Sequence, residues 1–197
     1  MDRRKVLKIS GKAIGTAILS PAILAVLQSC SEEKKPIDWE PSVLTDQQAY
    51  LLTLLSDVII PPTSTPSASE TKTPYFIDRL MHEVLQEDQV DQIKYVLDHT
   101  DDFSNEKMKF LFSKARPEHR YEFLIQVDDQ AYGLAEEKTF PPEYLEGYRY
   151  LKSLILTGYY SSEEGRKQNL EYLPTPGRYE GCIELSAEKT IIVGDHL

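Results

Sequence analysis

The side chains able to do chemistry in this chain are few and scattered. Four histidines, His82, His99, His119 and His196, stand at separations that match no metal-binding motif. His99 lies within Asp98-His99-Thr100-Asp101-Asp102, a nitrogen and three carboxylates that could in principle surround a cation. A metal site needs ligands converging from several elements, and a polar helix end followed by a turn accounts for the same run. Asp128-Asp129 offers paired carboxylates, but adjacent helical residues point about 100° apart and share no face. A solvated edge with one cap or salt bridge is the expected role. Ser64, Ser67 and Ser69 fall in a Ser/Thr/Pro-rich loop and form no nucleophile elbow.

Cofactor fingerprints are missing too. There is no G-x-G-x-x-G after a strand, no phosphate-binding loop, no C-x-x-C-H and no cysteine set for an iron–sulfur cluster. The two cysteines are Cys30 and Cys182. Cys182, in Gly181-Cys182-Ile183, reads as a small buried apolar side chain. By elimination the chain is not expected to run redox or hydrolytic chemistry by itself, and it is expected to hold no cofactor or metal.

The strongest signal is at the start. Arg3 and Arg4 precede Lys5-Val6-Leu7-Lys8, an apolar run extends from Ala13 to Leu27, and Leu27-Gln28-Ser29-Cys30 follows. Paired arginines, an apolar middle and a small residue before the cysteine are the parts of a twin-arginine export signal. The run's fifteen residues at about 1.5 Å each reach about 22 Å, short of the roughly 30 Å of a bilayer core. A cleaved signal over residues 1–29 is therefore expected in preference to a permanent span. Cys30 stands where the apolar run stops and Ser31-Glu32-Glu33-Lys34-Lys35 begins, the place of a lipid-bearing cysteine. The mature protein is then expected as a lipid-anchored protein at the periplasmic side of the envelope.

Loss of residues 1–29 removes five positive side chains and one negative, taking the formal charge from -10 to about -14. Such a body has no electrostatic footprint for nucleic acid and is repelled by anionic lipid. Membrane attachment would come from the acyl group. The twin-arginine route carries folded proteins, often with a cofactor, and this chain shows none. Either it lends its signal to a partner or it merely folds quickly.

Hydrophobic spacing predicts an all-α body of five or six helices with a long irregular C-terminal segment. Residues 30–44 read as a tether. Thr45-Asp46-Gln47-Gln48 is a capping box ahead of Leu51, Leu54, Leu55, Val58 and Ile59, stopped by Pro61-Pro62. Thr73-Pro74 reads as cap and first helical position of a second helix bearing Ile77, Leu80, Met81, Val84 and Leu85. Separate helices are predicted over 88–98 and 105–115. Another starts at Pro117 and carries Tyr121, Leu124 and Ile125; the longest follows Pro141-Pro142, carries Leu145, Tyr148, Leu151, Leu154 and Ile155, and ends near Gly158. Only 189–193 looks like a strand, with nothing to pair with.

The C-terminal block is more specific. Gly158-Tyr159-Tyr160-Ser161-Ser162-Glu163-Glu164-Gly165-Arg166-Lys167-Gln168, then Pro174-Thr175-Pro176-Gly177-Arg178-Tyr179-Glu180-Gly181-Cys182, resembles the gluconate 2-dehydrogenase subunit 3 family. Leu44-Thr45, Asp57-Val58-Ile59-Ile60-Pro61, Thr65-Pro66 and Phe76-Ile77-Asp78 agree with the same family, and Ser67 stands where relatives commonly have Gly. The likeness covers about residues 43–185, which places the domain at 45–185 with a tail at 186–197. The resemblance implies a non-catalytic small subunit of a membrane-associated, flavin-dependent sugar or polyol dehydrogenase. A large subunit of the glucose-methanol-choline type would bind FAD, a cytochrome c subunit would take the electrons where present, and the small subunit would assist export and maturation. Gly158, Tyr159, Tyr160, Pro176, Gly177 and Tyr179 form an aromatic, pre-ordered stretch suited to a partner interface. The same stretch could instead wrap the domain's own helices. A stand-alone envelope lipoprotein acting as a binding module is the alternative function.

Overall fold

The computed structural model describes residues 37–135, 137–172 and 191–193. The helices are α1 (Asp46–Ile59), α2 (Thr73–Glu83), α3 (Glu87–Met108), α4 (Pro117–Ala131), α5 (Pro142–Ser161) and α6 (Glu163–Asn169), with a 3-10 turn at Phe112–Lys114. The all-α class is as the hydrophobic spacing predicts. Two three-residue strands follow, β1 (Leu170–Tyr172) and β2 (Ile191–Val193), paired parallel with Leu170 opposite Ile191. The strand expected near 189–193 thus has a partner after all. Leu170-Glu171-Tyr172 is too short to show a period of two.

Local chemistry starts each helix as the residues dictate. The Thr45 hydroxyl accepts from the Gln48 amide at 3.2 Å while the Gln48 side chain accepts from the Thr45 amide at 3.0 Å, the reciprocal capping box. Pro117 and Pro142 open α4 and α5, where a missing N–H costs nothing. In α2 the cap shifts by one residue: Lys72 takes a left-handed φ of 59° and Thr73 is already helical.

The polar run at Asp98–Asp102 does not end a helix. It lies inside a 22-residue helix, α3, that covers the first segment expected as separate and only residues 105–108 of the second; Lys109 ends it in a left-handed cap, and 109–115 hold no α-helix but the 3-10 turn. No Gly or Pro interrupts residues 87–108, and the buried stripe Ile93, Val96, Leu97 simply continues as Thr100 and Ser104. The hydroxyls are satisfied inside: Thr100 donates to Val96 O at 2.7 Å and meets the Tyr144 hydroxyl at 3.1 Å, and Ser104 donates to Phe110 O at 2.9 Å. A hydropathy pattern reads such a stripe as broken although it is fully packed.

Another difference lies at the entrance. Ile37 and Leu44 are buried, and Trp39 and Val43 pack on the core, so residues 37–44 are docked and not a free tether. The cause is Asp78, a buried carboxylate on α2 that accepts from the amides of Ser42 (2.6 Å), Val43 (3.1 Å) and Leu44 (3.1 Å).

Helix α5 runs through the middle, touching α1, α2, α3, α4 and α6. Two glycines allow it. A Cβ on Gly147 would lie 2.6 Å from Val96 Cγ2 and 3.0 Å from Gln92 O on α3, and one on Gly158 would lie 3.0 Å from the Phe76 ring and 3.1 Å from Thr73 Cγ2 on α2. Around the other side, Phe103, Phe112, Phe123, Phe140 and Tyr144 form a chain of edge-on, tilted and stacked ring contacts at 4.7 to 5.9 Å. Gly147→Ala adds helix propensity of roughly 1 kcal/mol but overpacks the α3 contact by about 1–3 kcal/mol. A net loss of stability is expected, read as a lower urea midpoint at unchanged slope.

Candidate partner-binding surface

Among the described residues that carry the family likeness, several meet where the loop 61–72 crosses the C-terminal part of α5, and hydrogen bonds fix them there. Asp57 Oδ1 accepts from the Ser69 amide at 2.8 Å, Ala68 N donates to Ile60 O at 3.1 Å, and Glu70 accepts from the Ser67 amide at 2.6 Å. Across the chain, the Tyr159 hydroxyl donates to Pro66 O at 2.9 Å. Ser67 is buried, and the only non-glycine residues with positive φ among those described are Lys72 and Lys109. Ser67 therefore introduces no left-handed strain. Ser162 accepts from the Gly165 amide at 3.1 Å and starts α6, whose first turn holds Glu163 and Glu164.

Of the residues read as an interface, Gly158 and Tyr159 are inside the domain, where the first lets α2 approach and the second ties down the loop. This corrects a surface role for those two: the stretch wraps its own core at this point. Tyr160 is 45% exposed and rests edge-on against Tyr159 with ring centroids 5.2 Å apart. Tyr75 and Phe76 on α2 are exposed to a similar degree, and Trp39 meets Tyr75 at 5.8 Å. Arg3, Arg4, Cys30, Pro176, Gly177, Tyr179 and Cys182 lie outside the described residues.

A second feature lies along α4. Tyr121, Leu124 and Ile125 were expected together on a core stripe, yet only Leu124 is buried. The core face of α4 is Phe123, Leu124, Val127, Gln130 and Ala131, while Tyr121 is 59% and Ile125 42% exposed. They line a groove of about 180 Å³ with Val58, Ile59, Leu124, Asp128, Tyr148 and Lys152. At its floor Asp128 accepts from the Tyr148 hydroxyl at 3.0 Å and from Lys152 Nζ at 2.5 Å. Nothing in the sequence spacing joins Asp128 to residues 20 and 24 positions later. The salt bridge expected of the Asp128-Asp129 pair is present, and the partner is on another helix.

Three of the groups in the 98–102 run are held in structural hydrogen bonds. Asp98 accepts from Gln48 Nε2 at 2.7 Å, Asp101 from the Ser113 amide and hydroxyl at 2.7 Å each, and His99 Nδ1 meets Tyr95 O at 2.8 Å. Among the described residues no group of three or more His, Cys, Asp and Glu side chains could hold a metal ion, and no helix is long and apolar enough to cross a membrane. Burial pushes the Tyr148 hydroxyl well above the ordinary tyrosine range, and the Asp128 charge and hydrogen bond push the same way. Tyr148 is therefore a fixed donor at neutral pH and no proton acceptor. Burial likewise raises Tyr144, against a smaller opposing pull from Thr100.

A sequence model of gluconate 2-dehydrogenase subunit 3 matches residues 46–177. The chain belongs to the gluconate 2-dehydrogenase subunit 3 family. No curated protein and no solved structure matches at a significant level. The match includes the braced loop, the whole of α5 and α6 and the start of the segment beyond β1. Membership marks the chain as a subunit-3-type accessory component of an oxidoreductase complex.

Two measurements test this structural reading. Tyr159→Phe removes the bond to Pro66 and should cost about 1 kcal/mol, with faster amide exchange at Ala68 and Ser69, whose loop it fastens. Tyr144 and Tyr148 give the second. Their folded pKa values are raised above the ordinary 10.0, so the stability they contribute is complete below about pH 10 and is lost as pH climbs above it. Urea midpoints should begin to fall as pH climbs above about 10, and Tyr148→Phe should make that fall shallower.

Proposed function

We propose that this chain is the small, non-catalytic subunit of a membrane-associated, FAD-dependent sugar or polyol dehydrogenase. In this reading the large subunit, of the glucose-methanol-choline type, binds FAD and oxidises the substrate. The small subunit supplies the export signal for both, through Arg3 and Arg4, and assists maturation of the large one. Cys30 carries the lipid that holds the complex at the periplasmic face, and a cytochrome c subunit, where present, accepts the electrons.

The observation that carries the reading is the family match over residues 46–177, which contains the block from Gly158 to Gln168. The geometry supports it in a specific way. The residues of that block are spent on fixing the loop 61–72 and the start of α6, so the family pattern describes a rigid shape. A rigid, aromatic-bearing shape with Tyr75, Phe76 and Tyr160 exposed is what a subunit needs in order to dock without a large ordering cost.

Affinity purification of the tagged chain from native membranes should bring down a flavoprotein, seen as a flavin absorption spectrum in the eluate. Replacing Arg3 and Arg4 by lysine should strand that flavoprotein in the cytoplasm. Normal export of the partner alongside the double variant would defeat the shared-signal part, and an eluate without flavin would leave the chain as a stand-alone envelope lipoprotein.

A further inference from the structure

Helix α4 shows two adjacent stripes on its solvent side. One is aromatic and aliphatic, with Tyr121, Ile125 and then Tyr132 just past the helix end; the other is acidic, with Glu118, Glu122 and Asp129. From Tyr121 to Tyr132 the stripe extends for about 16 Å at about 1.5 Å per residue. Tyr132 is 51% exposed and borders the groove, with Lys152 Nζ 5.0 Å from its ring centre. Leu134, 76% exposed, continues the apolar surface onto the following turn. Such a patch lies beyond the scatter of single apolar residues normal on a surface and marks an interaction site.

Charge decides what fits it. Glu118, Glu122 and Asp129 form no ion pair among the described residues. Lys152 is paired with Asp128, Arg120 donates to the carbonyls of Phe112 (2.9 Å) and Ser113 (3.2 Å), and Lys114 and Arg116 before the helix pair with none of these acids among the described residues. The net charge of the whole chain, -10, has the same sign. A ligand for this surface must therefore bring apolar side chains to the groove and positive charge to its acidic border. A groove walled by helices accepts such a ligand most readily as an amphipathic helix, whose anchors recur every three to four residues.

We propose that the groove between the end of α1, α4 and α5 receives a basic amphipathic helix of the flavoprotein subunit. The inference rests on the accessory-subunit reading above and adds a second contact area, distinct from the braced loop. One apolar side chain of that helix fills the space between Tyr121, Ile125 and Val58, and its lysines or arginines face Glu118, Glu122 and Asp129.

The test uses the full-length tagged chain purified from its native membranes, with flavin per mole of chain as the readout. Tyr121 and Ile125 are exposed, so Tyr121→Ala with Ile125→Asp should leave the thermal midpoint of the chain in place while retained flavin falls roughly tenfold or more. Glu118→Lys with Glu122→Lys should reduce it several-fold, and the unmodified complex should lose flavin as salt is raised. If the unmodified chain retains flavoprotein and both variants retain it equally, the groove assignment is wrong while the accessory reading stands. If the unmodified chain retains none, the reading fails and the groove assignment goes with it. Should the first variant instead turn a sedimenting dimer of this chain into a monomer, the occupant is a second copy and the proposal is overturned.

Discussion

The close approach of α5 to its neighbours is the constraint on which the remainder depends. At Gly147 and Gly158 the space a side chain would need is already taken by Val96, Gln92, Thr73 and Phe76. A helix interior normally disfavours Gly by roughly 1 kcal/mol relative to Ala. Here the loss is offset by contacts that only a bare Cα permits, because interior packing is dense and each ångström of separation forfeits dispersion energy. With α5 held at that distance, Leu151 and Ile155 close the core and Tyr144 reaches Thr100. Tyr148 in turn reaches Asp128.

Once the helices are set, the connections between them follow from polar side chains that cap backbone groups at a distance. Asp78 gathers three amides of the entering segment, Asp57 one of the loop after α1, Asp101 one of the 3-10 turn, and Gln130 the amides of Thr139 (2.6 Å) and Phe140 (3.1 Å) before α5. Arg120 does the converse, donating to two carbonyls. A buried amide left without an acceptor costs about 1–3 kcal/mol, so each of these side chains fixes a loop that packing alone would leave loose. No disulfide is needed for this. The acids that make the chain look suited to chemistry are largely the acids that pin its loops.

That also explains what was legible beforehand. Start signals were readable because they are local: Thr45 with Gln48, Pro117, Pro142 and Ser162 act within one turn. The all-α class followed from spacing that every long helix repeats. What misled was any feature whose meaning lies across the fold. Thr100 and Ser104 broke the apolar pattern of α3 because their hydroxyl partners could not be seen from the sequence. Tyr121 and Ile125 fit a stripe with Leu124, but α4 carries two apolar faces and spacing does not say which one meets the core. Asp78 could have been suspected, since an acid between Ile77 and Met81 on a packed face must find donors. The Asp128, Tyr148 and Lys152 constellation left no such trace.

The family pattern itself gains a physical sense from this. A run such as Gly158-Tyr159-Tyr160-Ser161-Ser162-Glu163 would, in an enzyme, invite a search for a nucleophile or an acid. Here the glycine admits Phe76, the first tyrosine holds Pro66, and Ser162 begins a helix, so three successive parts of the motif are consumed by one junction. Tyr160 is the exposed aromatic side chain of this run, beside the exposed Ser161 and Glu163. A motif that spends its residues on rigidity lowers the ordering cost of association, and it leaves recognition to the surfaces that the junction holds in place.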